Sequence, residues 1–189
     1  MKIQFENVSF RYESRKEAES VSTLNFTIAS GEFILICGPS GSGKSTIGRI
    51  INGLAPKFLW RGIDRKSSLD GIDITTIPQA ELAGSIWISI SESTHTGFFD
   101  TNSTGELAFG CENMGYPARK IKERVHRASQ EFGLENLLDR DIFNLSGGEK
   151  QKIACGSIYA VNPDVYVFDE PSSNLDFISI NELAEIMQN

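Results

Sequence analysis

The chain is poor in the residues that staple or punctuate a fold: 189 residues contain three cysteines, 6 prolines and two histidines. Cys37, Cys111 and Cys155 are far apart and have no neighbouring histidine, so neither a disulfide framework nor zinc spacing is present. They read as reduced, mostly buried apolar groups. Long apolar runs are also missing. The longest, Phe33 to Cys37, is five residues, against the roughly 20 that span a bilayer, so any membrane association is expected to be peripheral. Met1 to Asn7 lacks the apolar stretch of a secretory leader, which points to a cytoplasmic protein. Positive charge is in deficit. Eighteen Lys+Arg against 25 Asp+Glu leave a net charge of −7, which argues against a broad surface for nucleic acid or anionic lipid but leaves room for a local anion site. What remains is a globular composition, 40% hydrophobic with 12 Phe and 23% charged, at a length that favours one domain.

No repeat, linker or low-complexity tract divides the sequence. Ile3, Phe5, Val8, Phe10 and Tyr12 alternate with polar residues, and residues 22–29 mix Leu, Phe, Thr and Ile, which suits paired strands. A buried strand is predicted at 32–37. Residues 44–54 place Ile47, Ile50, Ile51 and Leu54 at helical spacing. Helices are predicted at 105–113, 117–132 and 146–161, a buried strand at Val165 to Phe168, and a final amphipathic helix at 178–188. Alternating strands and helices indicate an α/β sheet.

Gly38-Pro39-Ser40-Gly41-Ser42-Gly43-Lys44-Ser45 satisfies G-x-x-x-x-G-K-[ST], a phosphate-binding pattern. The same residues could form a plain surface loop, but they lie between an apolar run and an amphipathic helix, where the chemistry needs them. Glycines let successive backbone N–H groups curl around phosphate oxygens, and the helix start adds its positive dipole end. Lys44 then brings a full charge to the β- and γ-phosphates, and Ser45 a hydroxyl for Mg²⁺. Asp169 and Glu170 close the apolar strand, where carboxylates face a ligand crevice. Asp169 is the expected Mg²⁺ partner, through water, and Glu170 the residue that polarises the attacking water. Leu145-Ser146-Gly147-Gly148-Glu149 opens a helix with a serine and two glycines, a second helix N-terminus suited to an anion. His95 and His126 have no partner pattern and read as surface histidines.

With these pieces the sequence resembles the ATP-binding cassette (ABC) family. The resemblance supplies a Walker A motif at 38–45, a signature at 145–149, a Walker B motif at 165–170 and a D-loop at Ser173 to Asp176. It implies a P-loop NTPase of ABC type with an N-terminal antiparallel β subdomain and an α-helical signature subdomain (about 93–160) within a single domain, 1–189. ATP and Mg²⁺ are the implied cofactors. Nucleotide contacts are carried over onto Tyr12, which matches the aromatic that stacks on adenine, onto Gly38 to Ser45 and Thr46, and onto Ser146, Gly147 and Gly148. In that family the signature of one subunit closes over the γ-phosphate held by another. The implied partners are therefore a second ATPase subunit, identical or not, and transmembrane transporter subunits, with the chain peripheral on the inner face of the cell membrane and no nucleic acid bound. Within the family the sequence is most similar to the ATPase subunits of energy-coupling factor (ECF) importers, which take up vitamins and cobalt or nickel ions. The resemblance rests on Asn52 to Pro56, Glu106 to Gly115 and Asp169 to Asp176.

Three stretches depart from the family pattern. Glu92 stands where the Q-loop glutamine is expected, and residues 59–68 are equally unlike the family. Codons exist for Gly84 to Gly97 whose neighbouring frame spells a family-like Q-loop, so paired small insertions and deletions would account for both; the nucleotide sequence decides this. The chain also stops at Asn189, before a strand and a γ-phosphate-sensing histidine, which implies truncation after the D-loop helix and an incomplete central sheet. A catalytically silent nucleotide-binding fragment is the first alternative reading. A non-transport ABC ATPase is the second, although Lys44 and Leu145 are only 101 residues apart (145 minus 44), too few for long coiled-coil arms between them.

Overall fold

The first strand, β1 (Ile3–Phe10), pairs antiparallel with β2 (Val21–Ile28). Its inward residues Ile3, Phe5, Val8 and Phe10 are each at most 2% exposed, yet their spacing is two, three, two rather than strict alternation. The extra residue between Phe5 and Val8 is a bulge at Asn7, with φ 52°, and a second irregularity on β2 at Thr23, also φ 52°, restores the register. Each irregularity hands its displaced N–H to a side chain across the pair. Asn7 N–H donates to Asn25 Oδ1 at 2.8 Å, and Thr23 N–H to Ser9 Oγ at 2.9 Å. Phe5 stacks on Phe26 across the strands with centroids 4.5 Å apart.

The computed structural model describes residues 1–12, 20–57, 67–90, 99–172, 180, 181, 184 and 185, and the chain divides into two units, Met1–Ile88 and Ser89–Asn189. In the first unit β3 (Ser67–Leu69) and β4 (Ile72–Asp73) extend the sheet in the order β2-β1-β3-β4, every pairing antiparallel. Asp70 and Gly71, with φ 48° and 84°, make the two-residue turn between them. Helix α1 (Lys44–Ile51) buries Ile47, Ile50 and Ile51. It is followed by α2 (Leu54–Lys57), α3 (Gln79–Ser85) and β5 (Ile86–Ile90). Gln79 Nε2 donates to the Asn52 carbonyl at 3.1 Å, tying α3 to the end of α1.

One expected element does not form. Residues 32–37 carry no strand, Phe33 and Leu35 are 64% and 76% exposed, and Cys37 is exposed. An apolar run becomes a buried strand only where sheet neighbours pair its backbone and other layers cover both faces; here the described residues leave these side chains open. Cys111 and Cys155 are buried as expected.

In the second unit α4 (Ser103–Asn113), α5 (Ala118–Glu131) and α6 (Gly147–Val161) enclose a core that includes Leu107, Val125, Phe132, Leu134 and Ile153. Gly156 sets the approach of these layers: a Cβ there would stand 3.0 Å from both Leu107 Cδ2 and Leu134 Cδ1. Glu106 is buried, and its Oε2 accepts the Phe99 and Asp100 N–H groups at 2.9 and 3.0 Å. Strand β6 (Val165–Asp169) forms where predicted but is half-buried rather than fully buried, with Tyr166 exposed. Ile180, Asn181, Ala184 and Glu185, from the expected terminal helix, are helical.

Ser146 caps α6 reciprocally. Ser146 N–H donates to Glu149 Oε2 at 2.8 Å, and Glu149 N–H donates to Ser146 Oγ at 3.3 Å. The Ser146 backbone N–H first, and then the Ser146 hydroxyl, hold the Glu149 carboxyl below its ordinary value of 4.5. A lowered carboxyl adds stability that is fully present above its unfolded value and is lost as pH falls through the native one. Ser146→Ala is therefore expected to lower the unfolding free energy at neutral pH by about 1 kcal/mol. Glu149→Gln should flatten the acid limb of the stability curve. Urea melts followed by circular dichroism between pH 7 and acid check both, and an unchanged acid limb in Glu149→Gln rejects the assignment.

Candidate functional site

The phosphate-loop motif folds as a tight exposed turn feeding α1. Gly41 and Gly43 adopt φ 79° and 96°, and Ser42 N–H closes the turn on the Pro39 carbonyl at 3.2 Å. Gly43 is constrained twice. Its φ disfavours any side chain, and a Cβ would lie 2.6 Å from the Ser20 carbonyl oxygen and 3.0 Å from Val21 Cγ2. At Gly38 a Cβ would meet Ser42 Oγ at 2.7 Å. The loop is thus pressed against the start of β2, which aims the first turn of α1.

That first turn holds no acidic residue and no side-chain cap. Helix N-termini carry partial positive charge and ordinarily attract Asp or Glu. Here Lys44 adds a full cation instead, and its Nζ folds back to donate to the Gly38 and Pro39 carbonyls at 3.0 and 3.1 Å. The result is a local concentration of donors and positive charge in an acidic chain, which suits a multiply charged anion. Ser45 is half-buried behind it.

Tyr12 lies just past β1 and reaches α1. Its hydroxyl is 3.3 Å from Thr46 Oγ1 and accepts from Arg49 NH1 at 3.2 Å, while its ring meets Phe10 edge-on at 4.9 Å. Thr46 is 5% exposed, and its hydroxyl makes this contact. Arg49 was not among the sequence candidates. Its spacing of three from Thr46 puts both on one helix face and is the signal that could have found it.

In the second unit Ser146 and Gly147 are exposed at the start of α6, with Gly148 half-buried. This N-terminus differs from that of α1, because Glu149 and Ser146 already cap it, and Glu149 Oε1 also lies 4.0 Å from Arg140 NH1. Asp169 is half-buried at the end of β6, and Glu170, just beyond, is exposed with φ 52°. That left-handed conformation is uncommon for a glutamate and stores strain next to the proposed chemistry. A hydroxyl and a carboxylate are the hard oxygen donors Mg²⁺ takes, so Ser45 and Asp169 fit it in donor type. No cluster of three His, Cys, Asp or Glu suited to a metal occurs among the described residues. His126 is exposed; His95, Glu92, residues 59–66 and the D-loop at 173–176 lie outside the described residues.

The sequence matches the ABC transporter family model over residues 21–173. It is 39% identical over 186 residues to an ABC transporter ATP-binding protein of Treponema denticola, covering 98% of this chain and 38% of that relative. It is 37% identical over 186 residues to the energy-coupling factor transporter ATP-binding protein EcfA1 of Ureaplasma parvum, covering 98% and 60%. The structure of cbiO1 from Clostridium perfringens, part of the ABC transporter complex cbiONQ, aligns with a TM-score of 0.81 at 26% identity, over 98% of this chain and 72% of that one. The ATP-binding cassette MJ0796, solved as a dimer bound to ADP and Pi, aligns with a TM-score of 0.82 over 98% of this chain and 81% of that one; at 22% identity it speaks for the fold alone. This chain spans 30% to 38% of the length of the first curated relatives it matches. Because the family match takes in the phosphate loop, the start of α6 and the strand ending at Asp169, the chain belongs to the ABC transporter family and has its P-loop NTPase fold.

Proposed function

We propose that this chain binds Mg-ATP at the phosphate loop and, paired with a second ATPase subunit, hydrolyses it to drive a membrane importer of the energy-coupling factor type. The observation that carries the proposal is the start of α1, where a glycine loop, an uncapped helix N-terminus and Lys44 converge with no acidic residue to oppose an anion. In this mechanism the backbone N–H groups of the 38–46 loop, all but Pro39, which has none, hold the phosphates, Lys44 turns from the loop carbonyls to the β- and γ-oxygens, and Tyr12 stacks on the adenine. Ser45 and Asp169 would hold Mg²⁺, which when bound neutralises phosphate charge. Glu170 accepts a proton from the water that attacks the γ-phosphorus as the bond to the ADP oxygen breaks. Ser146, Gly147 and Gly148 serve the nucleotide of the partner subunit. The EcfA1 and cbiO1 likenesses support the importer type; a vitamin or metal ion as cargo and a place on the inner face of the membrane are what that reading of the sequence implies.

A second reading, a nucleotide-binding chain without turnover, is favoured by the exposed run from Phe33 to Ile36. Binding would survive in the loop, while register between the catalytic groups would not, and about 1 Å of misplacement can cost 100-fold. Steady-state ATPase assays of the purified chain with a partner ATPase subunit separate the two readings. Turnover above a Lys44→Ala control supports the first, and its absence alongside intact ATP binding supports the second.

Lys44→Ala removes a charge-assisted contact worth about 1.5–3 kcal/mol, so equilibrium titration should show ATP affinity reduced by about 10- to 100-fold. Equal affinity rejects the site. Glu170→Gln is expected to cut turnover at least about 100-fold while ATP stays bound, because an amide cannot take the proton. Glu170→Gly should lose turnover as well but gain about 0.5–1 kcal/mol of stability, since glycine accepts φ 52° without strain. Thermal melts and single-turnover assays on the two variants test strain and chemistry independently.

A further inference from the structure

Within the second unit a cavity of about 270 Å³ opens between α5 and the end of α6. Lys120, Arg124 and Arg127 line it from successive turns of one α5 face, joined by Tyr159, Ala160 and Asn162 from α6 and its cap, with Glu123 the one acid in the wall. None of these residues belongs to the proposed ATP machinery.

The three cations are held rather than loose. Arg124 NH1 donates to the Ala160 carbonyl at 2.9 Å and also to the Val161 carbonyl, so the guanidinium is anchored on the last carbonyls of α6. A guanidinium carries five donors and keeps its charge while bonded to carbonyls, so Arg124 brings a fixed positive charge to the cavity wall. Lys120 Nζ sits 4.0 Å from the centre of the Tyr116 ring, with the Arg124 guanidinium 4.7 Å from it, and the Arg127 guanidinium lies 5.4 Å from the Tyr159 ring. Aromatic faces restrict long side chains without neutralising them, which lowers the ordering cost of a bound anion. Three cations against one carboxylate leave the wall two positive charges in excess. A chain with net charge −7 that gathers this excess around a cavity has the local anion site its composition allows.

We propose that this cavity is a second anion site that takes a dianionic phosphate monoester, matched by the two-charge excess and by the fork geometry of the arginines. The monoester can be soluble or the headgroup of a lipid. The experiment uses the full chain carrying Lys44→Ala, which weakens the phosphate loop, and any residual binding there shows as shifts at 38–46. It is titrated with glycerol 3-phosphate, followed by amide chemical shifts, and in parallel sedimented with phosphatidylcholine vesicles with and without phosphatidic acid. Saturable shifts confined to 116–127 and 159–162 identify a soluble ligand, and sedimentation only with phosphatidic acid identifies the headgroup. Either supports the site. The double variant Lys120→Gln/Arg127→Gln spares the α6 anchor and should weaken the response by about tenfold or more. Lys120→Arg/Arg127→Lys, which keeps both charges, should retain it. No response in either arm, or equal affinity in the glutamine variant with its circular dichroism unchanged, overturns the proposal.

Discussion

The contact on which the first unit depends is the approach of Gly43 to the backbone of Ser20. With φ 96° and no room for a Cβ within 2.6 Å of the Ser20 carbonyl, Gly43 lets the loop turn sharply where β2 begins. The direction of α1 follows from that turn. One helical turn later Tyr12, at the end of β1, meets Thr46 and Arg49, so the sheet grips the helix at two points. A helix gripped at its start and again one turn on points its free N–H groups in a fixed direction, which a loop joined to the sheet by chain alone would not provide.

The two glycine-bearing helix starts illustrate how local electrostatics separates similar sequences. Both α1 and α6 begin with small residues that expose backbone donors. At α6 the Glu149 carboxylate and the Ser146 hydroxyl satisfy the end internally, and at α1 Lys44 makes it more positive. The start of α6 is stable by itself; that of α1 gains from an anion. An anion at α6 must share donors with the existing cap, so contact there is weaker unless another subunit supplies charge. This asymmetry agrees with the division of labour proposed above, in which the loop holds the nucleotide and the start of α6 meets one held elsewhere.

Much of this was legible from residue patterns, for identifiable reasons. Long periodic segments such as α4, α5 and α6 show their class because each buries one face. The β1–β2 pair is visible in its alternation, but the reading as plain alternation passed over the bulge at Asn7, which shows only as a slip in spacing between Phe5 and Val8. The hairpin of β3 and β4 escaped notice because strands of three and two residues carry no period, although Asp70-Gly71 is a hairpin signal. The run at 32–37 misled because an apolar segment records only a demand for burial, and the partners that meet the demand lie elsewhere in the chain or assembly. At the site, the glycines and Lys44 were readable because backbone chemistry restricts which residues fit. The Tyr12 to Thr46 and Arg49 contacts were not, since they join an extended segment to a helix more than thirty residues away.

Charge distribution supplies the last step. Helix α5 carries Arg119, Lys120, Lys122, Arg124 and Arg127 against Glu123 and Glu131, an excess of three, so the rest of the chain holds −10 of the net −7. Averaged over the surface, such a chain repels anions, and at physiological salt that repulsion fades beyond about 8 Å. Inside that distance the sign at each patch is set by its own groups. The start of α1 and the α5 cavity share one construction for attracting phosphate: cations anchored on backbone carbonyls, Lys44 on Gly38 and Pro39, Arg124 on Ala160 and Val161. Carbonyls hold a cation without cancelling its formal charge as a carboxylate would. An acidic protein can therefore bind phosphate selectively at built sites while remaining repulsive to polyanions in general.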